Sequence, residues 1–487
     1  MSAARVAASA FRGGRPLRPH SSCAAATKLP ASSQPARKSF HSGRCLRTNY
    51  WDGMDKRVKS TTPAGIETYV RLTAQDAARN SVPPKCARML VRDFVDDSLY
   101  NPAYGYFSKK AFIFSPEQNI DFNAIRDSYA FMNRLSELYE EVESEYNDVN
   151  DIARQVWHTP TELFKPWYGF AVAKHIVSEY KRDNRGSDRL IIYEVGAGNG
   201  TLMVNILDYI KQYEPDLYRH TEYRIIEISS KLAERQSERQ DVRQVAHRHN
   251  CVEIINQSIF SWNQQVPDAC FIIAMEVIDN FAHDLVRYDY LSGAPRQGVV
   301  LIDEDGDYQE AYEPATDPLI NRYLSLREQI GRPSPLQGNR FLRSLRNSLP
   351  FAPNLTGPEF LPTMCLKLFD QLNAHFPKHR IILSDFDKLP DAVPGINAPV
   401  VQTRYQGTMI PCSTYLVQPG WFDIFFPTDF ELMRDMYNLT CGADGQKGKV
   451  LTQQEFLIAN ANLEGTRTKS GENPMLSFYQ NFKFLVS

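Results

Sequence analysis

The stretch that most constrains this chain runs from Arg189 to Tyr213. Leu190, Ile191, Ile192 and Val195 form a short apolar run, the pattern of a parallel strand covered on both faces. Gly196, Gly198 and Gly200 break it, and Leu202, Met203, Ile206, Leu207 and Ile210 follow at helical spacing. A buried strand feeding a glycine turn and a helix is where open α/β sheets take up nucleotide-like ligands. Such a turn also occurs for packing alone, so its neighbours must decide.

A dinucleotide fingerprint needs glycines at the first, third and sixth positions. Here the sixth position is Thr201 and the third glycine comes at the fifth, which disfavours an NAD-dependent oxidoreductase. No Lys-Ser/Thr pair follows the last glycine, so a P-loop is excluded. The pattern instead resembles motif I of class I S-adenosylmethionine (SAM) methyltransferases, an acid followed by GxGxG. That resemblance puts Glu194 near the methionine end of the cofactor. It uses Gly196, Gly198 and Gly200 to let the backbone pass where a Cβ would collide.

The next segments extend the sheet. Tyr223–Ile228 reads as a second strand with Glu227 at its end, 31 residues after Gly196. An acid there can accept hydrogen bonds from both ribose hydroxyls. Val252–Ile255 reads as a third strand, followed by Ser258 and Ile259 at the adenine end. Ala269–Met275 reads as a fourth, and Glu276 and Asp279 just beyond it would face the transferred methyl group. Strands alternating with helices predict a doubly wound α/β sheet of the class I methyltransferase, Rossmann-like type, with an added helical lobe.

Charge is uneven along the 487 residues. Residues 1–51 hold nine Lys or Arg and no acid, leaving a net charge of −11 on the remainder. The leading segment, rich in Ala, Ser and Arg, lacks the apolar core of a secretory signal and reads as a disordered mitochondrial presequence. A basic tail for nucleic acid or membrane is the other reading. The acidic remainder argues against general nucleic-acid binding. No run is apolar enough for a membrane span. The eight cysteines include no CxxC pair, so no metal site is expected. His247 and His249 read as surface loop.

The remaining chain divides as follows. Residues 52–85 read as a mobile lead-in and 86–180 as a helical arm, with a helix opening at Cys86 and a turn that either presents Tyr104, Tyr106 and Phe107 or packs them as an aromatic anchor of the arm on the body. The sheet begins over 181–289. Residues 290–370 read as an inserted helical lobe whose arginines steer an acidic partner or form a solvated face. Residues 371–487 complete the sheet: Arg380–Ser384 returns to strand, Thr414–Gln418 and Trp421–Phe425 form a hairpin around Pro419-Gly420, and FYQNFKFLV packs as a final strand.

Taken together, the segments resemble the MidA-like mitochondrial protein arginine methyltransferases that assist assembly of respiratory complex I. The residues that carry this are NPAYGYF at Asn101, HTPTELF at His158, EVGAGNGT at Glu194, IEIS at Ile226, FSW at Phe260, MEVIDNF at Met275, SDFD at Ser384 and GWFDIFFPTDF at Gly420. The resemblance implies a matrix enzyme that transfers methyl groups from SAM to a guanidine of a complex I subunit. Gly196, Gly198 and Glu227 would bind the cofactor, and Glu276 and Asp279 would face the protein substrate. Two positions depart from the family's usual GPGRGT turn, Ala197 and Asn199, and EVIDNFA stands where the family has EFFDALP-like residues. The alternative is a non-catalytic SAM-binding assembly factor that holds a partner subunit.

Overall fold

The computed structural model describes residues 65–487 except 110, 114, 115, 117, 146–154, 158, 184–188, 229–248, 250, 333, 335, 337–353, 390, 391, 393–396, 406, 407 and 443–446. The presequence and His247 lie outside the described residues.

A seven-stranded sheet organises the chain. Its strands are β1 (Leu190–Val195), β2 (Thr221–Ile226), β3 (Val252–Ile255), β4 (Cys270–Met275), β5 (His379–Phe386), β6 (Lys449–Thr452) and β7 (Phe482–Val486). Their spatial order is β3-β2-β1-β4-β5-β7-β6. The first five are parallel, whereas β7 runs antiparallel to both β5 and β6. The order reverses between β1 and β4, the point at which such sheets open a ligand crevice.

Alternate residues of β1 serve two cores. Ile191, Tyr193 and Val195 join the apolar cluster on one face, and Leu190 and Ile192 join the cluster on the other. That two-sided burial is why the run carries no polar alternation. On the second face lie the helices Trp167–Asp183 and Thr201–Tyr213, with Val172, Ile176, Ile206 and Ile210 buried between helix and sheet. Just before them, Thr159 caps the short helix Pro160–Leu163 by accepting from the Glu162 N–H at 3.2 Å.

Several expectations are corrected. The interruption over 290–370 is present, but its described part mixes the helix Pro318–Gln329 and the start of Thr363–His375 with strands that the helical reading did not include. Pro295–Ile302 pairs with Tyr308–Pro314, Ala87–Leu90 and Asp284–Tyr288, and Glu359–Leu361 pairs with Asp284–Tyr288, in a second, six-stranded sheet. The tertiary pairing also overrides the helix expected from Cys86: Ala87–Leu90 is a strand, and the helix begins at Val91. The lead-in is tied down from residue 65 onward, since Val70–Arg71 adds to the same sheet and Thr73 and Asp76 form a reciprocal capping box. The hairpin forms between Val400–Tyr405 and Thr408–Cys412, while Asp423–Phe425 pairs on the other side of Val400–Tyr405.

The second sheet bears on the first through the helix Val91–Tyr100. Arg92 bridges Asp284 at 2.5 Å and Asp317 at 2.7 Å. Asp97 accepts from the Tyr104 hydroxyl at 2.7 Å and from Asn101 Nδ2 at 2.7 Å. Tyr104 and Tyr106 are therefore buried anchors rather than presented rings. A Cβ on Gly420 would lie 1.8 Å from the Tyr104 carbonyl oxygen, so this residue lets two distant segments touch. His249, expected on the surface, is fully buried (0 % exposed) between the Tyr218 hydroxyl and Asp208.

Candidate active site

A cleft opens at the carboxyl ends of β1, β2 and β4, beneath the helix Val91–Tyr100. Its walls include Gly196, Gly198, Glu227, Ser258, Ile259 and Glu276, six of the nine residues singled out by sequence. Asp96, Tyr100, Phe107, Phe260, Asn280 and Met364 complete much of the lining.

The glycine rim is shaped by backbone. Gly196, Gly198 and Gly200 have φ of 70°, 52° and 77°, in the left-handed region that penalises a Cβ. At Gly196 a Cβ would also sit 3.0 Å from Val277 Cγ2, across the crevice on the β4 side. Gly200 is the N-cap of the helix Thr201–Tyr213 and does not line the cleft. On the neighbouring strand, the buried Glu227 follows β2 directly, and Asn256 Nδ2 donates to its backbone carbonyl at 2.9 Å. Ser258 caps the short turn Ile259–Ser261, which holds Ile259 against the core and the cleft.

Glu194 is not where the sequence reading puts it. Strand alternation sends its side chain to the face opposite Val195, where the Tyr223 hydroxyl donates to Oε2 at 2.8 Å. Burial, and then the nearby charge of Glu227, push its carboxyl up to about 7. It is a core carboxylate held by a tyrosine, and it does not line the cleft.

The rim at the end of β4 has a different character. Glu276 has φ of 57°, a conformation that a residue with a long side chain adopts at a cost. Its N–H donates to the Ser384 carbonyl at 2.8 Å, which holds that backbone in place. Its carboxyl is raised well above the usual range by burial first, then by Asp385 and Glu162. Asp279 is 7 % exposed and, unlike Glu276, is not among the residues that line this cleft. Asp279 Oδ1 and Asp423 Oδ2 are buried without a hydrogen-bond partner. Burial and the surrounding acids raise Asp279 well above its ordinary value, and burial raises Asp423 to about 8.

Asp385 anchors this loop by accepting from the N–H groups of Ile278 at 2.8 Å and Asp279 at 3.0 Å. Asn280 turns the other way, donating to Asp423 Oδ1 at 3.1 Å and the Ile424 carbonyl at 3.2 Å. Asp96, one helical turn before Tyr100, brings a further acid to the cleft; burial and Asp93 push it up to about 7.

Sequence reasoning missed Asp96, Tyr100 and Asp423. They come from the arm and from the three-stranded sheet, far from the glycine turn, and only the buried acids in an otherwise apolar pattern hinted at them. Of the arginines read as a steering patch or a solvated face, Arg322, Arg327 and Arg332 are paired within the chain. Arg322 binds Asp370 at 2.6 Å, Arg332 binds Asp429 at 2.8 Å, and Arg327 binds Glu359 and the Tyr288 hydroxyl. Arg340, Arg343 and Arg346 lie outside the described residues. No group of three or more metal-ligating side chains occurs among the described residues, and no helix there is long and apolar enough to cross a membrane.

Residues 171–447, more than half of the chain, match the family model described as "Putative S-adenosyl-L-methionine-dependent methyltransferase". The chain belongs to this family. SAM is its cofactor, and the fold is a class I methyltransferase sheet with extra elements. A curated relative from Schizosaccharomyces pombe, named protein arginine methyltransferase NDUFAF7 homolog, mitochondrial, is 22 % identical over 82 % of this chain and 86 % of its own. A crystal structure from Burkholderia thailandensis with bound S-adenosyl-homocysteine has a TM-score of 0.52 at 13 % identity, covering 82 % of this chain and 87 % of that one. A second, native crystal structure from the same organism has a TM-score of 0.50 at 14 % identity over the same shares. Both likenesses concern the fold.

The residues present fit the cofactor of the family. The glycine rim keeps open the space a Cβ would fill, and a buried acid stands at the end of β2 where a ribose needs an acceptor.

Proposed function

We propose that this protein is a mitochondrial methyltransferase that modifies arginine side chains of a protein, in the complex I setting that the family resemblance implies. One observation carries the reading: the half-buried Glu276 and the buried Asp279 and Asp423 gather at the end of β4, where the charges of the other two help raise Asp279, and Asp279 and Asp423 each keep an oxygen without a donor. Uncompensated acids in a dry site are costly, and a ligand that brings a delocalised cation relieves that cost. A guanidinium does so with donors in a planar fork. The name of the fission-yeast relative supports arginine as the target and mitochondria as the place. The basic, acid-free segment 1–51 supports the same location.

In this reading Gly196, Gly198, Glu227, Ser258 and Ile259 hold the cofactor, which supplies an electrophilic methyl group. Glu276 accepts hydrogen bonds from the guanidinium in the cleft wall. Asp279 and Asp423 act from behind it: a bound guanidinium favours their ionised forms, which draw positive charge toward the nitrogens that do not attack. Orientation and fixed charge supply most of the acceleration. Asp96 takes the proton that the attacking nitrogen loses, a role suited to a carboxyl raised to about 7.

The experiment is transfer of labelled methyl from SAM into a mitochondrial extract, followed by acid hydrolysis and separation of the modified amino acids. Label in methylated arginine, absent with Glu276→Gln, is the expected result. Label confined to lysine or to small molecules would reject arginine. No label despite cofactor binding would leave a SAM-binding assembly factor.

A further inference from the structure

Glu194 faces away from the cleft, which leaves open which acid meets the charged amino group of the cofactor's methionine moiety. With the ribose end at Glu227 and Ser258, the methionine end falls toward the glycine turn and Glu276. A second buried carboxylate stands there. Glu162, 2 % exposed, lies in the short helix Pro160–Leu163 that packs on the helix following the turn. Its Oε1 accepts from Asn199 Nδ2 at 2.9 Å and from Thr201 Oγ1 at 2.8 Å, so it is strapped directly onto the turn. Its Oε2 is buried and has no hydrogen-bond partner. The nearest cation, Lys165 Nζ, stays 3.6 Å from Oε2 and donates instead to the Pro116 carbonyl at 2.7 Å. Glu162 does not itself line the cleft, yet is close enough for its charge to contribute to the raised carboxyl of Glu276.

We propose that Glu162, rather than Glu194, is the carboxylate that binds the α-ammonium of the cofactor's methionine moiety. A carboxylate fixed through one oxygen and unsatisfied at the other is preorganised for an N–H donor, and an ammonium makes that hydrogen bond charge-assisted. The assignment also accounts for Asn199, which holds the oxygen that is not used, so the free one keeps its direction. Lys165 is then a competitor, whose charge partly neutralises Oε2 until an ammonium is bound.

The test uses calorimetric titration of the full chain with two ligands, S-adenosyl-homocysteine and 5′-methylthioadenosine. The second keeps the adenosine and thioether but lacks the amino acid portion. Glu162→Gln preserves shape and an acceptor for Asn199 and Thr201. It should weaken S-adenosyl-homocysteine roughly tenfold or more while changing 5′-methylthioadenosine by less than about twofold. Glu194→Gln should not separate the two ligands. An equal loss for both ligands in Glu162→Gln would mean that the strap only shapes the turn, and would overturn the proposal, as would no loss for either.

Lys165→Met serves if the first variant fails to fold. It should tighten S-adenosyl-homocysteine a few-fold, roughly in line with a lost partly exposed ion pair, and leave 5′-methylthioadenosine unchanged. An unchanged ratio of the two affinities would overturn the proposal. The readout needs no methyl acceptor, so it stands or falls separately from the arginine reading.

Discussion

The two rims of the cleft are made in opposite ways. The glycine rim at the ends of β1 and β2 is formed by backbone conformation, with Gly196, Gly198 and Gly200 all at positive φ. The rim at the end of β4 is formed by charge, with Glu276 strained and Asp279 and Asp423 incompletely satisfied. A rim made by shape is complete before a ligand arrives. A rim made of repelling acids is complete only when a cation joins it, and until then it lowers stability. In the proposed function the first serves recognition of a fixed cofactor and the second the chemistry.

The largest effect expected is at the glycine rim. Gly196→Val combines a disfavoured φ with a contact to Val277 already at 3.0 Å for Cβ alone. SAM affinity should fall more than about 100-fold by calorimetry, a loss of roughly 3 kcal/mol. Wild-type affinity in a folded variant would mean that this rim does not hold the cofactor. At the opposite rim, Glu276→Gln should lower methyl transfer about 100-fold, the scale of one lost electrostatic contact. SAM affinity should meanwhile stay within about threefold of wild type. A matching loss of affinity would erase the division between the rims.

The next effect is on stability and runs the other way. Burial raises the Asp423 carboxyl to about 8, above its value in the unfolded chain. The folded protein therefore holds a proton that the unfolded chain releases, and stability falls as pH rises from about 4 toward 8. Asp423→Asn removes that loss. It should stabilise the protein by about 2 kcal/mol at pH 8 and by little at pH 4, measured as the pH dependence of thermal unfolding. A stabilisation independent of pH would show that packing rather than charge is responsible. Smallest of all, Arg322→Ala breaks a half-exposed pair with Asp370 at 2.6 Å. It should cost no more than about 0.5 kcal/mol and leave both rims unchanged.

How much of this was legible depends on which face a residue serves. The parallel strands read cleanly because both their faces are apolar, and β1, β3 and β4 lie within a residue of their expected bounds. Glu227, Ser258 and Ile259 follow from strand ends. Glu194 did not, because alternation in a strand buried on both sides gives no sign of which core an acid enters. The second sheet was illegible for another reason. Ala87–Leu90 has a local pattern that suits a helix, and its pairing with Val299–Ile302, more than two hundred residues on, makes it an inner strand. Asp423 entered the site by the same kind of long-range closure.

The last of the seven strands has a consequence for how the molecule comes into being. β7 (Phe482–Val486) does not lie at an edge: it sits between β5 and β6, pairing with both. Until residues 482–486 have left the ribosome, β5 exposes a bare edge of backbone groups and β6 has no neighbour. From the emergence of β5, complete at residue 386, until that of β7, a growing chain thus carries an adhesive strand edge left open. If the leading segment is an import signal, that delay is an advantage, since a translocation channel admits a chain that has not yet closed its sheet.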